Sequence, residues 1–211
     1  MNPGLEYIRW KLGIVTEDLP FLISDQLRYH PGREYWHPTG DGQFTSLGKF
    51  PAIVAAITGL RDELLNVQTI YLTEGGRPAP VPSFKKLMPS PVAGCTIGGA
   101  VKLHRPDKHL GIAEGVMTAL AARYDTGLPV WAAISAQAMK SVIIPPSVEK
   151  IAIFADNDES GTGQREALEA ARRFKQQDPK RVIKIMTPDQ LGSDWADVVN
   201  KKNEELLHYA S

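Results

Sequence analysis

"KIAIFADNDESGTGQREALEAARRF", residues 150–174, decides how this chain is built. From Ile151 to Ala155 every residue is apolar, so neither face of an extended segment there is meant for water. A strand buried on both faces belongs to a parallel sheet covered by helices. From Gly163 onward the composition turns helical, with Leu168, Ala171 and Phe174 expected on the core face and Arg172, Arg173, Lys175, Lys180 and Arg181 largely in solvent. Between the two lies "DNDESG", which crowds Asp156, Asp158 and Glu159 at the mouth of the strand. Like charges repel at that spacing, and burying any of them is costly. Two explanations fit: a metal site, or a solvated turn in which Asp158 or Ser160 caps the helix and Glu159 faces water.

The same strand–helix alternation extends to both sides of this stretch. Apolar runs at 109–115, 128–134, 150–156 and 181–188 read as strands, each followed by a helical pattern. The helix at 135–142 has Ser135 as its N-cap. Ahead of residue 104 the pattern differs. Residues 3–13 read as an amphipathic helix, 28–48 as an ordered connection, and 50–57 with 65–72 as a hairpin around "TGLRDEL". Tyr29, Tyr35 and Trp36 are expected to anchor this part, and 82–103 is punctuated by Pro and Gly. The expected fold is α/β: a mainly parallel four-stranded, Rossmann-like sheet with helices on both faces over residues 107–211. A smaller mixed α+β subdomain precedes it over residues 1–106.

Composition narrows the function. The 211 residues carry 24 Lys and Arg against 24 Asp and Glu, so no global charge advertises nucleic acid, although a local basic stripe can coexist with an acidic site. The one cysteine, Cys95, rules out an internal disulfide framework or a Cys-rich zinc ribbon. The five histidines lack a metal-ligand spacing. "MNPGLEYIRWKLGI" is neither a signal peptide nor a membrane span, and a reduced, cytoplasmic setting is expected.

Ligands of an open parallel sheet gather at the carboxyl ends of its strands. Glu114 ends the first strand, Asp156 ends the third, and Asp158 lies two residues on. Glu114 alone is explained as a helix-start carboxylate favoured by the helix dipole. Together the three acids need a counter-charge, and a divalent ion such as Mg²⁺ suits oxygen ligands.

These residues carry a resemblance. "GIAEGVMTAL" (111–120) and "IAIFADNDESGTGQREA" (151–167) resemble the two acidic motifs of the Toprim domain, shared by bacterial primases, type IA and II topoisomerases and some nucleases. "LRYHPGREYW" (27–36), "GGAVKL" (98–103) and "SDWADVV" (193–199) resemble the Toprim primase-like proteins of phages, plasmids and integrated mobile elements. The resemblance implies Mg²⁺-dependent (or Mn²⁺-dependent) synthesis of short RNA primers on single-stranded DNA. Glu114 would be the general acid or base, Asp156 and Asp158 would hold metal with Glu114, and Asp194 and Asp197 would be outer or second-metal ligands. The alternative for Asp194 and Asp197 is an N-cap and a first-turn acid, with Trp195 packed on the sheet. Replicative primases carry an acid four residues after the motif glutamate; Thr118 stands there in this chain, which weakens the case for a second metal.

Nucleic acid would need cations facing the acids. Lys85, Lys86, Lys102 and Arg105 are the candidates, beside the glycine-rich "GCTIGGA" (94–100); otherwise they are a solvated surface. The expected partners are single-stranded DNA and nucleotide triphosphates, with a helicase or a separate template-recognition module and no membrane. A metal-dependent Toprim nuclease and a non-catalytic nucleic-acid-binding adaptor remain as the other readings.

Overall fold

A computed structural model describes residues 2–90 and 92–209, so the outermost residues of both expected domains lie outside the described residues. The chain opens with α1 (Pro3–Leu12), capped by the Asn2 side chain, which accepts from Leu5 N at 3.0 Å. Pro3 suits the first helical turn, and Gly13 at φ 62° closes the helix in the left-handed conformation that glycine adopts freely. After a 3-10 turn and the single-turn α2 (Leu19–Leu22) come β1 (Leu27–Pro38), β2 (Phe44–Thr58), β3 (Leu64–Tyr71) and β4 (Lys85–Leu87). They form one antiparallel sheet in sequence order.

The expected connection at 28–48 is therefore two strands. Pro31, Gly32 and Pro38 hide them in the sequence. The register slips between His30 and Arg33, so a bulge absorbs the Pro-Gly pair, and β1 is an edge strand where a proline costs no ladder bond. Of the three aromatics, only Tyr35 is an anchor, fully buried against Tyr71 and Phe50. Tyr29 and Trp36 are exposed.

The second sheet contains β5 (His109–Ala113), β6 (Val130–Ala132), β7 (Lys150–Phe154) and β8 (Val182–Met186), all parallel, in the order β6-β5-β7-β8. Four helices follow the strands: α3 (Val116–Thr126), α4 (Ala136–Met139), α5 (Thr162–Gln177) and α6 (Trp195–Tyr209). Alternation along the strands divides their side chains. Leu110, Ile112, Ile151 and Ile153 pack with α4 and α5, whereas Ala113 and Phe154 pack with α3 and α6. Both faces are covered, as the unbroken apolar runs require. Ser135 does cap α4, but the helix ends after one turn, at Met139.

Helix α5 and the turn after it depart from expectation in two places. The core line of α5 is Gly163, Ala167, Ala170 and Phe174, while Leu168 stands in solvent. Arg181 is buried, with 4% of its surface exposed. Its guanidinium donates to the carbonyls of Val148, Ile144 and Pro145 at 3.2, 3.4 and 3.3 Å. Three acceptors from the loop ahead of β7 thus surround the guanidinium, which is why a charge is tolerated there.

The two sheets share a core. Ile53, Ile57, Ile70 and Leu72 of the first sheet join Tyr7, Ile8 and Leu12 of α1 and the inner face of α3 and α6 in one buried cluster. Ala100 bridges to Thr58 and Val101 to Ala132, tying β2 to the edge of the parallel sheet. This fixes the antiparallel sheet beside the strand ends, where the acids are.

Candidate active site

The chain leaves β5 towards β6 and returns on the other side as β7, so its connections diverge between β5 and β7. Such a divergence opens a crevice above the carboxyl ends of those two strands. Glu114 follows β5 directly and Asp156 follows β7 by two residues, which puts one acid on each wall.

Backbone bonds hold both. Ile134 N donates to the Glu114 carbonyl at 2.7 Å, and Ile134 adopts φ 78°, an unfavourable conformation for a β-branched residue. On the other wall, Ala155 N donates to Met186 O at 2.9 Å and Asn157 N to Ser193 O at 3.0 Å. Helix α5 comes in so close that a Cβ on Gly163 would lie 2.4 Å from the Asp156 carbonyl oxygen, so only glycine fits.

The surroundings shift the three strand-end acids in different directions. Burial pushes the Asp156 carboxyl up to about 7, with the negative fields of Glu114 and Asp194 adding to it and Lys85 opposing. Burial likewise raises Glu114, opposed by the Ala136 N–H, while Asp158 and Asp194 raise it further and Lys85 opposes. Asp158 is held down, to about 2, by the Ser160 hydroxyl and the Gly163 and Thr162 N–H groups. Its Oδ2 accepts from Gly163 N at 2.6 Å and its Oδ1 from Thr162 N at 3.1 Å. Asp158 thus caps α5. Asp156 Oδ1 is buried with no hydrogen-bond partner.

Asp194 and Asp197 form a reciprocal cap at the start of α6. Asp197 N donates to Asp194 Oδ1 at 2.9 Å, and Asp194 N to Asp197 Oδ2 at 3.0 Å. Lys11 of α1 reaches both, at 2.6 Å from Asp197 and 3.6 Å from Asp194. No sequence signal singles out Lys11, since nothing local links the last turn of α1 to α6. Trp195 between the two acids packs edge-on against Phe154, with ring centroids 5.3 Å apart.

Among the described residues, no three His, Cys, Asp or Glu side chains are gathered closely enough to hold a metal ion together. A two-carboxylate site is nevertheless suited to Mg²⁺, which usually keeps several waters and takes one or two carboxylates with substrate phosphates. Glu114 and the unpartnered Asp156 fit such an ion.

The four candidate cations separate. Lys85 on β4 sends its positive field to Glu114 and Asp156. Lys86, its neighbour, donates to the Trp36 carbonyl and lies over the Tyr35 ring at 4.5 Å. There a groove of about 690 Å³ runs between Arg33, Trp36, Phe44, Lys49 and Met88. Lys102 is held by Asp62 at 2.8 Å and by the Gly59 carbonyl. Arg105 is exposed.

A family model described as a Toprim domain matches residues 109–205. Residues 109–205 are a Toprim domain. Residues 2–98, ahead of the Toprim domain, match a family described as a domain of unknown function (DUF7146). No curated protein matches the chain.

The chain is similar in structure to a DnaG primase catalytic domain bound to ssDNA, with a TM-score of 0.61, 12% identity, and coverage of 98% of this chain and 72% of that one. The zinc-binding and RNA polymerase domains of the Aquifex aeolicus primase give a TM-score of 0.59 at 15% identity, covering 97% of this chain and 54% of that one. A DNA primase domain from Pseudomonas aeruginosa gives a TM-score of 0.54 at 16% identity, covering 82% and 54%. The Toprim domain and the antiparallel sheet before it therefore share the primase fold, and this chain spans about half the length of two of these primase chains. No helix among the described residues is long and apolar enough to cross a membrane.

Proposed function

We propose that the chain is a primase-like nucleotidyltransferase that joins ribonucleotides on a single-stranded DNA template with Mg²⁺ or Mn²⁺. The observation that carries this reading is the buried, unpartnered Oδ1 of Asp156, on the wall opposite Glu114 at the switch point of the parallel sheet. A structural acid would be expected to have a donor there. Glu114 and Asp156 would hold the ion, and Asp158 would steady the loop by capping α5. When bound, the ion would neutralise phosphate charge and favour ionisation of an attacking hydroxyl.

The protein's own groups have distinct tasks. Glu114, whose carboxyl burial raises above the ordinary glutamate range, is suited to take up or release a proton. Lys85 brings a cation from β4 to the same crevice and suits a triphosphate. Trp36 and Phe44, exposed beside Arg33, Lys49 and Lys86, suit stacked bases and the template backbone. A helicase or a separate template-recognition module would supply unwinding and template choice.

The test incubates purified chain with single-stranded DNA, labelled ribonucleotides and Mg²⁺ or Mn²⁺. Labelled primers, lost in Glu114→Gln and Asp156→Asn, are the expected result. Nicking of the template without synthesis would replace this reading with the nuclease. Neither activity, with DNA binding intact in Glu114→Gln, would leave the adaptor.

A further inference from the structure

We infer that the chain has a one-ion centre, Glu114 with Asp156, and that the Lys11 ammonium on Asp194 and Asp197 is a fixed cation in the place a two-ion reading gives to the second metal. The inference rests on the proposed metal centre at Glu114 and Asp156 and extends it to Lys11.

All four oxygens of Asp194 and Asp197 have partners. Asp194 Oδ1 and Asp197 Oδ2 accept each other's backbone N–H. The remaining two, Asp194 Oδ2 and Asp197 Oδ1, are the pair that Lys11 Nζ approaches, at 3.6 and 2.6 Å. An N-cap or a lysine alone would leave oxygens without a partner; the two together give each of the four oxygens one.

Lys11 is also held in position. Asn200 of α6 donates to the Trp10 and Lys11 carbonyls at 2.9 and 3.2 Å, and Asn203 to the Leu12 carbonyl at 3.0 Å. These bonds clamp the end of α1 to α6, and the Lys11 side chain is only 24% exposed. A divalent ion entering beside it would meet a positive charge already paired with both acids. The position that could add a carboxylate is Thr118, which is 3% exposed on α3.

The arrangement makes Lys11 a positioning residue. Asp194 lies within electrostatic reach of Glu114 and Asp156, and Lys11 pairs with it and with Asp197. In place of an exchangeable ion, α1 supplies a permanent cation, and the antiparallel sheet supplies Lys85 on the opposite side.

Titration of the full-length chain with Mn²⁺, with free ion followed by electron paramagnetic resonance, counts the bound ions. One ion is expected in the wild type and in Lys11→Arg. Lys11→Met should take up a second, weaker ion that is lost again when Asp194→Asn and Asp197→Asn are added. Circular dichroism checks the fold of each variant. If Lys11→Met does not fold, Asp197→Asn in the wild-type background decides, and its count should stay at one. Two ions in the wild type, or a lower count in Asp197→Asn, overturns the role of Lys11 and leaves the Glu114–Asp156 centre standing. A count that stays at one in folded Lys11→Met also overturns it. No bound ion in the wild type removes the metal centre and the Lys11 assignment with it.

Discussion

Asp156 is the residue at which charge and burial conflict most. Its folded carboxyl titrates at about 7 against an ordinary 3.8, so the folded metal-free chain holds a proton that the unfolded chain releases. Stability from that proton is complete at low pH and is lost as pH rises through about 7. Asp156→Asn stays neutral, so at pH 8 in chelator it should be more stable than wild type by about 1–2 kcal/mol, after discounting for solvent screening. The gap should close at pH 4 and narrow on adding Mg²⁺; thermal unfolding reads all three. Glu114, raised by the same burial, acts in the same direction. Both acids are legible in the sequence because each ends an apolar run, and strand ends are where such sheets bind. Lys11 is not legible, since only the folded chain brings α1 to α6. The burial of Arg181 is hidden because a charged residue after a basic helix resembles surface. That burial makes Arg181→Met costly, by about 2–4 kcal/mol, because three loop carbonyls lose this donor at once. Denaturant unfolding measures that loss.

At the scale of elements, the β7–α5 turn sets the geometry of the site. Alanine is normally the better helix former than glycine, by about 1 kcal/mol. At Gly163 the order reverses, because the added Cβ would meet the Asp156 carbonyl at 2.4 Å. Gly163→Ala should destabilise by about 1–3 kcal/mol, the range for overpacking, and should weaken Mn²⁺ binding through the displaced Asp156. Gly161→Ala, whose Cβ would meet only the Gln164 Oε1 at 4.0 Å but whose φ is 66°, should lose some stability and leave Asp156 in place. The parallel strands can be read from the sequence because burial on both faces leaves an uninterrupted apolar signature. The β1–β2 ribbon cannot: its outer half is exposed, and the bulge at Pro31–Gly32 breaks the alternation that marks a strand.

For the whole molecule, what matters is that the antiparallel sheet and the Toprim domain share a core, so the sheet that carries Lys85 is fixed beside the acids by packing and not by a flexible linker. Lys85→Gln should therefore lower primer synthesis by about tenfold or more, a loss of the size expected for one charge-assisted phosphate contact. Lys102→Gln, which breaks a contact to Asp62 away from the acids, should change synthesis far less. Parallel assays of the two variants separate a site cation from a structural one. The central claim is that one divalent ion sits between the ends of β5 and β7. Replacing it with Fe²⁺ and generating hydroxyl radicals with peroxide and ascorbate cuts the backbone beside the bound iron. Cuts at Glu114 and Asp156, suppressed by excess Mg²⁺ and absent in Asp156→Asn, are the predicted pattern. Cuts centred on Asp194 and Asp197, or none that Mg²⁺ suppresses, would contradict it.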